Sequence, residues 1–411
     1  MKKIEFRKAE KYFYNETKSA EASGMKPNQT DKTEYLERRR IEDLRVALVH
    51  EYLTLLGGSE RMLLDFLDIF PQSDLFLLTY NPKKLPKEFI SKIEKHKIIV
   101  SNLKKIQRFT SLVRMWAQQA TEQFDFSGYD LVFSNCSYCS KGVLVPQDTI
   151  SISYIQSPTR YLWDYTHNYL KEHAKNNLAK RFLHKLFFKQ RKWDFLAAQR
   201  PDLLLANSKN VKNRIKKYYR RNSLVLYPSI NVSNFKFSPK KDDFFLIVSR
   251  LSPYKKVDLV IQTFKNLPNL KLKVVGEGVD KKKLQNLAKG AKNIEFLGFV
   301  DDERLKNLYS RALAVLFPQV EDFGLVPLEA AASGTPTIAF KEGGALETVI
   351  ESETGLFFKE QTESSLAKTI KEFLNRKFDP YEIKKQVQRF DKSQFRQKLI
   401  EIVENEINTK K

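Results

Sequence analysis

A chain of 411 residues is long enough for two domains, and the 42% of its residues that are hydrophobic are enough to fill two cores. With 14 Gly and 15 Pro, the composition excludes collagen-like and low-complexity proteins. Lys and Arg outnumber Asp and Glu by 72 to 49, and the net charge of +23 points to nucleic acid, an anionic membrane surface or a phosphorylated substrate as a partner. A lysine-rich source proteome is the alternative explanation of this charge.

The cysteine count and the N-terminal sequence indicate a cytoplasmic setting. Cys136 and Cys139 are too few for a disulfide-built secreted fold, and no second C-x-x-C or nearby His cluster completes a zinc site. We interpret them as two small buried residues, with a redox or metal role as the alternative. Residues 1–43 are polar, lack the apolar segment of a signal peptide and are predicted to extend outside the fold. Since no run approaches roughly 18 apolar residues, the sequence predicts a soluble or peripheral protein.

Alternating strands and helices are predicted across residues 44–230. The apolar run Arg45–His50 predicts a buried strand, and the Gly turn and amphipathic segment Glu60–Phe70 that follow complete the opening of a doubly wound α/β domain. Further strands are predicted at Leu75–Tyr80, Lys97–Val100, Leu131–Ser134, Ile150–Ile155, Leu203–Asn207 and Ser223–Leu226. Ser208 is the predicted N-cap of the helix after Leu203–Asn207.

The same alternation restarts after a polar, aperiodic segment at 231–243, which is the predicted linker. The second domain, 244–380, has a predicted helix at Lys256–Asn266. Its predicted strands are Phe244–Val248, Lys271–Val275, Asn293–Leu297, Ala314–Phe317 and Pro336–Phe340. Residues 381–411 are predicted to be helical. Two Rossmann-like doubly wound domains facing a central cleft would bind a ligand at the carboxyl ends of their strands, which leaves periplasmic-type binding proteins, phosphorylases, epimerases and glycosyltransferases as candidate classes.

The first motif of the second domain is SRLSPYKK, directly after the strand Phe244–Val248. Arg250 and Lys255 lie on either side of its Pro-containing turn, from which both cations can face one anion. A departing nucleotide diphosphate needs such contacts, each of which contributes about 1.5–3 kcal/mol. A solvated basic turn is the alternative interpretation.

The second motif is EDFGLVPLE, in which the two glutamates are separated by seven residues. If a helix begins near Leu325, Glu321 lies in the preceding loop and Glu329 lies about one turn inside the helix. The backbone of Phe323 and Gly324 can then approach a sugar phosphate, because Gly has no side chain to block it. Acidic residues that only cap a helix N-terminus are the alternative.

Two first-domain segments complete the set of motifs. Gly57 and Gly58 form the first strand–helix turn, where backbone can approach a phosphate or an acceptor. The segment SPTRYLWD places Arg160 and Trp163 after a strand, which suits a carbohydrate platform or a structural aromatic cluster. The chain has no G-x-G-x-x-G, no P-loop and no Asp-x-Asp, which disfavours a dehydrogenase, a P-loop enzyme and the usual metal site of nucleotide-sugar enzymes.

Taken together, SRLSPYK, GEG, FLGFV, EDFGLVPLEAAASGTP and GGALETV resemble glycosyltransferase family 4, whose members have the GT-B fold, over about residues 44–407. VHEYLTLLGGSER, YIQSPTRYLWD, LLLANSKNVKNRI and KKVDLVI more narrowly resemble its WbaZ-like mannosyltransferases of O-antigen and exopolysaccharide assembly. The resemblance implies retaining transfer of a hexose, most simply mannose from GDP-mannose, to a lipid-linked or polysaccharide acceptor without metal or another cofactor. A UDP- or dTDP-sugar is the alternative donor. The final helix would cross back to the first domain.

The resemblance also implies a role for each motif. Arg250 and Lys255 would hold the donor diphosphate. Glu321 would contact the donor sugar, and Glu329 would contact the nucleotide ribose. The other residues implied to border the donor are Phe323, Gly324, Leu325, Gly276, Gly278, Val300, Gly57 and Gly58, and those on the acceptor side are Gln156, Arg160 and Trp163.

The sequence departs from the family pattern at Gln156, where related enzymes commonly carry a His before Ser/Thr-Pro. Gln can hydrogen-bond a sugar hydroxyl but cannot carry a titrating proton. In the front-face mechanism proposed for the family, the leaving phosphate takes the acceptor proton, so this departure does not remove the catalysis. The extension at 1–43 is also outside the family core.

Positive charge is concentrated in residues 160–221, where 17 Lys and Arg face 4 Asp and Glu, a difference of 17 − 4 = +13. Within this region Leu178–Phe195 interleaves apolar and basic residues, as a basic amphipathic helix does. We therefore expect an anionic membrane surface as a partner, at the inner face of the plasma membrane. A solvated helix that packs its apolar stripe on the core is the alternative, and the absence of an RRM, KH or zinc-finger signature disfavours nucleic acid.

Two competing hypotheses of other classes remain. One is a GT-B enzyme that is not a transferase, such as a nucleotide-sugar epimerase. The other is a basic, membrane-binding scaffold whose GT-B fold has become inactive. The presence of all the expected donor-site residues favours the transferase over both.

Overall fold

The computed structural model describes residues 40–103, 110–174 and 176–409. Of the extension predicted at 1–43, only residues 40–43 fall within these ranges. There Ile41–Asp43 forms a 3-10 turn, and the Ile41 side chain packs into the core of the first domain. None of the described helices is long and apolar enough to cross a bilayer.

Seven parallel strands form the first sheet, in the order β3-β2-β1-β4-β5-β6-β7. They are β1 Val46–Leu53, β2 Asp74–Tyr80, β3 Ile98–Val100, β4 Leu131–Cys136, β5 Ile150–Ile155, β6 Leu203–Ala206 and β7 Leu224–Val225. The described helices of this domain are α1 Gly58–Ile69, α2 Lys87–Ile93, α3 Thr110–Thr121, α4 Thr166–His173, α5 Asn177–Ala197 and α6 Lys209–Tyr218. Every residue of β4 and β5 is buried, as expected of central parallel strands that are covered on both faces.

Six parallel strands form the second sheet, in the order β10-β9-β8-β11-β12-β13. They are β8 Phe244–Val248, β9 Lys271–Val275, β10 Ile294–Gly298, β11 Ala314–Phe317, β12 Thr337–Phe340 and β13 Gly355–Phe358. The helices are α7 Val257–Lys265, α8 Lys281–Leu287, α9 Asp302–Arg311, α10 Leu325–Ala332, α11 Ala345–Thr348, α12 Glu363–Leu374, α13 Pro380–Val387 and α14 Lys392–Thr409. The strand order reverses between β8 and β11, as it does between β1 and β4, and such switch points are where doubly wound sheets bind ligands.

Every predicted strand forms, but the sequence missed one strand and the helix after it. These are β13 and α12, which close the second sheet at its edge. The first residue of β13 is Gly355, which follows the polar segment ESET. Glycine is disfavoured in strands, so the sequence indicated a turn at this position. Short 3-10 turns elsewhere in the described residues are Pro82–Lys84, Ser140–Gly142, Arg160–Leu162, Val232–Asn234, Pro253–Lys255 and Gln388–Phe390.

The helix predicted at 381–411 is divided into two, because the chain bends at Asp391. This residue has an extended backbone, and its carboxylate accepts hydrogen bonds from the backbone N–H groups of Val232 at 3.3 Å and Ser393 at 3.0 Å. Before the bend, α13 packs on the second domain. After it, α14 returns to the first domain, where its buried face consists of Phe395, Leu399, Val403 and Ile407.

The two chain segments that cross between the domains are hydrogen-bonded to each other. The backbone N–H of Ile230 donates to the Phe390 carbonyl at 3.0 Å, and the N–H of Lys392 donates back to the Ile230 carbonyl at 3.1 Å. Lys392 also pairs with Asp65 at 2.9 Å and Asp68 at 2.5 Å on α1. The return of the chain is therefore fixed by backbone bonds and by charge as well as by apolar packing.

The two cysteines are buried, as the sequence interpretation expected, and neither forms a disulfide. Burial raises the pKa of Cys136 to about 12. The neighbouring Glu51 carboxylate accepts hydrogen bonds from the backbone N–H groups of Tyr138 at 2.7 Å and Cys139 at 2.6 Å. The C-S-Y-C segment therefore lies in a turn that is closed around a buried carboxylate.

We expect Phe395→Ala to lower the free energy of unfolding by about 3–5 kcal/mol, because it opens a cavity where α14 meets the first domain. The Phe395 ring is 3% exposed and packs 5.9 Å from the ring of Phe66, measured between centroids. Urea unfolding followed by circular dichroism measures the change. Gln397→Ala on the exposed side of the same helix is the control. Equal stability of the two variants would show that α14 does not contribute to the core.

Candidate active site

Loops at the carboxyl ends of β8 and β9 are packed together by direct backbone contact. A Cβ on Gly276, whose φ is +131°, would lie 1.9 Å from the carbonyl oxygen of Ser249. A Cβ on Gly278 would lie 2.1 Å from the carbonyl oxygen of Leu251. Only glycine permits this approach. The GEG segment predicted for the nucleotide pocket is thereby held against the loop that carries Arg250.

Lys255 and Glu321, which the sequence predicted to serve one donor, form an ion pair. Their side chains are only 15% and 22% exposed, so the pair is partly shielded from solvent. Arg250 lies on the same loop as Lys255, and its exposed guanidinium is 3.5 Å from the hydroxyl of Tyr254. The structure therefore places two cations and one carboxylate at the carboxyl ends of β8 and β11.

The helix predicted near Leu325 begins at that residue, and Gly324 is its N-cap with a φ of +94°. The side chain of Phe323 is buried between the domains, with ring centroids 5.6 Å from Tyr227 and 5.7 Å from Phe390. Only the backbone of Phe323 can therefore serve a ligand, as the family resemblance implies.

Glu329 lies on α10, where Tyr309 donates a hydrogen bond of 2.6 Å to its Oε2. Burial raises the pKa of Glu329, although this hydrogen bond and the charge of Arg61 on α1 oppose the rise. Val300, also predicted for the nucleotide pocket, is 6% exposed and belongs to the core behind β10. Its neighbour Phe299 is 81% exposed.

Gly57 and Gly58 bring the N-terminus of α1 against that of α10. A Cβ on Gly58 would lie 3.6 Å from Cδ1 of Leu325 in the second domain. The backbone N–H of Gly57 already donates to Glu60 Oε2 at 2.8 Å. Although burial acts to raise it, contacts with His50 and with this N–H hold the pKa of Glu60 below its usual value. A phosphate that binds the Gly57 N–H, as predicted, would therefore have to displace the Glu60 carboxylate from it.

Gln156 belongs to a group of hydrogen-bonded polar side chains from β1, β4 and the loops after β5 and β6. Its Nε2 donates to Asn135 Oδ1 at 2.8 Å, and Asn207 Nδ2 donates to its backbone carbonyl at 2.8 Å. Asn135 Nδ2 also lies 3.2 Å from Nδ1 of His50. Sequence reasoning missed these partners, although each is a polar residue at the end of an apolar strand.

Arg160 and Trp163 lie in and next to the 3-10 turn Arg160–Leu162. The Trp163 indole N–H donates to Asp194 Oδ2 at 2.7 Å, and its ring stacks on Tyr218 with centroids 5.1 Å apart. The Arg160 guanidinium lies 5.9 Å from the ring centroid of Tyr165. Trp163 therefore packs between α5 and α6. The acceptor-side role of Arg160 and Trp163 stays a prediction.

The sequence analysis missed a set of charged contacts between the two domains. Arg214 on α6 donates to Asp322 of the EDFG loop at 2.5 Å. The carboxylate of Glu347 in GGALETV accepts from the backbone N–H groups of Lys209 and Asn210. Asp322 and Glu347 both lie within sequence motifs of the second domain. No local sequence pattern predicts which helix of the first domain their carboxylates contact.

The groups assembled at the carboxyl edge of the second sheet suit an anionic, hydroxyl-rich ligand. Lys255 and Arg250 can meet phosphate oxygens, and Glu321 and Glu329 can accept hydrogen bonds from hydroxyls. Among the residues that the structure describes, no group of three or more His, Cys, Asp or Glu side chains is arranged to hold a metal ion.

The family model for glycosyl transferases group 1 matches residues 230–393. The O-antigen chain mannosyltransferase RfbU of Salmonella typhimurium is 32% identical over 170 residues, which are 38% of this chain and 46% of that protein. A D-inositol 3-phosphate glycosyltransferase of Mycobacteroides abscessus is 36% identical over 139 residues, 32% of this chain and 31% of that protein. The chain thus matches about half or less of the length of these curated relatives.

Solved structures cover more of the chain. HepE of Anabaena in complex with UDP superimposes with a TM-score of 0.65 at 18% identity, over 88% of this chain and 100% of that chain. Sucrose-phosphate synthase of Thermosynechococcus elongatus gives 0.66 at 18% identity, over 89% and 100%. The chain has the GT-B fold. The fold predicted from the sequence is thereby confirmed, and residues 230–393 carry the sequence pattern of group 1 glycosyltransferases.

We expect Glu329→Gln to stabilise the protein at pH 7.5 and to leave its stability unchanged near pH 4. Because the folded state raises the pKa of Glu329, the cost of its charge is absent below the unfolded pKa of about 4.3 and grows as the pH rises through the folded value. The Gln amide oxygen can still accept the hydrogen bond from Tyr309. Urea unfolding at both pH values measures the difference.

The control for this prediction is Glu295→Gln, which removes an exposed carboxylate from β10 of the same sheet. We expect it to change stability little at either pH. A loss of stability at pH 7.5 in Glu329→Gln, or the same gain at both pH values, would contradict the expected cost of the buried charge.

Proposed function

We propose that the chain is a retaining glycosyltransferase that moves a hexose from a nucleotide diphosphate sugar to a lipid-linked oligosaccharide or polysaccharide. The observation that carries this proposal is the ion pair of Lys255 with Glu321 at the N-terminus of α10. A diphosphate that binds Lys255 replaces the carboxylate as its partner, which frees Glu321 to accept hydrogen bonds from sugar hydroxyls. Tyr309 occupies Oε2 of Glu329, and we assign Oε1 to the ribose hydroxyls.

In the proposed transfer, the bond between the anomeric carbon and the distal phosphate oxygen breaks, and a bond to the acceptor oxygen forms on the same face of the sugar. The phosphate leaves with the bonding electron pair and takes the proton of the acceptor hydroxyl. Lys255 and Arg250 stabilise its charge by about 1.5–3 kcal/mol each, and we propose that they do so without a divalent metal. Gln156 holds a hydroxyl and transfers no proton.

GDP-mannose is the donor that we propose. The mannosyltransferase among the matched relatives supports it, although that match covers less than half of the relative's length. A uridine sugar is the alternative, since HepE has been solved with UDP-glucose at 19% identity to this chain. A dTDP-sugar would use the same diphosphate contacts, and one or two pocket contacts can distinguish these bases.

A panel of GDP, UDP, dTDP, ADP and CMP, each with and without Mg²⁺, tests the donor site by thermal unfolding. A nucleotide at 100 times its Kd adds about 2.7 kcal/mol of stability. We expect GDP to raise the Tm without Mg²⁺, and we expect Lys255→Ala to abolish both this shift and sugar transfer. Lys282→Ala, on the exposed side of α8, is the control.

The outcomes of this panel separate the hypotheses. A shift by UDP or dTDP alone would replace the mannosyl donor and keep the transferase. A shift that requires Mg²⁺ would contradict metal-independent transfer. Failure of every nucleotide to stabilise the wild-type protein would contradict the transferase and favour the inactive scaffold.

We also propose that the protein is cytoplasmic and peripheral at the inner face of the plasma membrane, with α5 on the bilayer. The helix carries exposed basic residues and two exposed Phe rings, which we call the basic α5 face: Lys180, Arg181, Lys185, Lys189, Lys192, Phe182 and Phe188. The rings of Phe182 and Phe188 are 63% and 55% exposed, whereas the one acidic residue of α5, Asp194, is buried. Each basic residue near an anionic surface contributes about 1 kcal/mol.

Co-sedimentation with vesicles tests this surface. We expect binding to vesicles that contain phosphatidylglycerol, weaker binding to pure phosphatidylcholine, and loss of binding in Phe182→Ser/Phe188→Ser. Leu374→Ser, which removes an exposed apolar side chain from α12, is the control. Binding of the double variant at the wild-type level would contradict the proposal, and vesicle binding without any nucleotide effect would support the scaffold alternative.

A further inference from the structure

The N-terminal turn of α6, in the first domain, is capped by a carboxylate from the second. Ser208 is its N-cap, as predicted, and accepts a hydrogen bond from the N–H of Val211 at 3.0 Å. The N–H groups of Lys209 and Asn210 donate to the two oxygens of Glu347 at 2.8 and 2.9 Å. A helix N-terminus attracts negative charge, and here that charge comes from Glu347 on α11, the short helix after β12.

A second contact reaches the same turn from the loop after β11. The Ser208 hydroxyl donates to the backbone carbonyl of Asp322 at 2.6 Å, and Arg214 donates to the Asp322 carboxylate at 2.5 Å. The Arg214 side chain is 11% exposed and the Asp322 side chain is 18% exposed. Such a pair is screened by salt less than a surface ion pair is.

Arg214 is also fixed within its own domain. Its guanidinium donates to Ser157 Oγ at 2.7 Å and to the Pro158 carbonyl at 3.1 Å, and it pairs with Asp164 at 3.0 Å. These groups belong to the loop that follows β5 and Gln156. The guanidinium therefore joins the loop after β5 to the EDFG loop of the second domain.

We propose that Arg214 and Asp322 are positioning residues, which hold Glu321 at the cleft by latching the EDFG loop to α6. Asp322 follows Glu321 directly in the chain, so fixing the carbonyl and the carboxylate of Asp322 restricts the backbone on which Glu321 sits. The backbone N–H of Gly344 donates to the Glu321 carbonyl at 2.8 Å and supports the loop from its other side. The effect on turnover rests on the proposed function, whereas the latch itself does not.

The test uses full-length protein and two kinds of measurement. Spin labels on cysteines introduced by Glu88→Cys on α2 and Lys282→Cys on α8 report the distance between the domains, since both native cysteines are buried. Release of nucleotide from GDP-mannose and from UDP-glucose reports kcat and KM. The variants are Asp322→Asn, Arg214→Gln and Arg214→Lys.

The matched control is Arg311→Gln. Arg311 on α9 forms a two-bond contact at 2.7 and 2.6 Å with Asp242, which lies at the end of the linker, just before β8. This variant removes a guanidinium–carboxylate pair without touching the contact between the domains. We expect its distance distribution and its turnover to match those of the wild-type protein.

We expect Asp322→Asn and Arg214→Gln to broaden the interdomain distance distribution in the nucleotide-free protein. We expect kcat to fall roughly 10- to 100-fold while KM for the donor changes much less, which is the signature of lost positioning in the transition state. Because the two side chains act as one pair, the double variant is expected to be no worse than the poorer single variant. Arg214→Lys, which keeps the charge, is expected to recover part of kcat.

Distance distributions and kcat values at the wild-type level in Asp322→Asn would overturn the proposal. A variant that fails to fold is recognised by its unfolding profile, and Arg214→Lys then provides the comparison. If the wild-type protein turns over neither donor, the proposed function fails, but the distance measurement still decides whether the latch exists. An unchanged distance distribution together with a lowered kcat would also contradict the latch.

Discussion

Lys255 and Glu321 neutralise each other at the carboxyl end of the second sheet, and the arrangement of the cleft depends on that pair. Each partner sits on a loop whose backbone is held elsewhere: the loop of Lys255 by its contact with Gly276, and the loop of Glu321 by Gly344. The Lys255 ammonium group is therefore positioned without a ligand, and the Glu321 carboxylate neutralises it. A ligand that brings a diphosphate exchanges one anionic partner for another, so it does not have to bury an unpaired charge.

The strands could be predicted because apolar runs bounded by turns are local signals. The residues of the second domain's cleft could be predicted because they fall within short, contiguous motifs such as EDFGLVPLE. The contacts of Arg214 and Asn135 could not, because each partner lies far away in the chain and is brought near only by the topology of the sheets. The bend at Asp391 was missed for the same reason: the groups that hold its carboxylate include Val232, from the other crossing segment.

The candidate site and most of the net positive charge lie in different domains. The second domain places Lys255 and Glu321 in the loops after β8 and β11 and Glu329 on α10, and each of them has a defined partner. The first domain carries most of the net positive charge, and α5 has no exposed acidic residue beside its exposed basic ones. Burial of Glu329 disfavours the charged form of its carboxylate and raises its pKa.

The paired crossing segments determine how the domains can move. Ile230 exchanges backbone hydrogen bonds with Phe390 and Lys392, so the two connections between the domains are joined to each other. Hinge motions between domains are absorbed by a few residues of the connecting segments. Any change in the width of the cleft must therefore move both crossing segments together, because they are joined at Ile230 and Asp391.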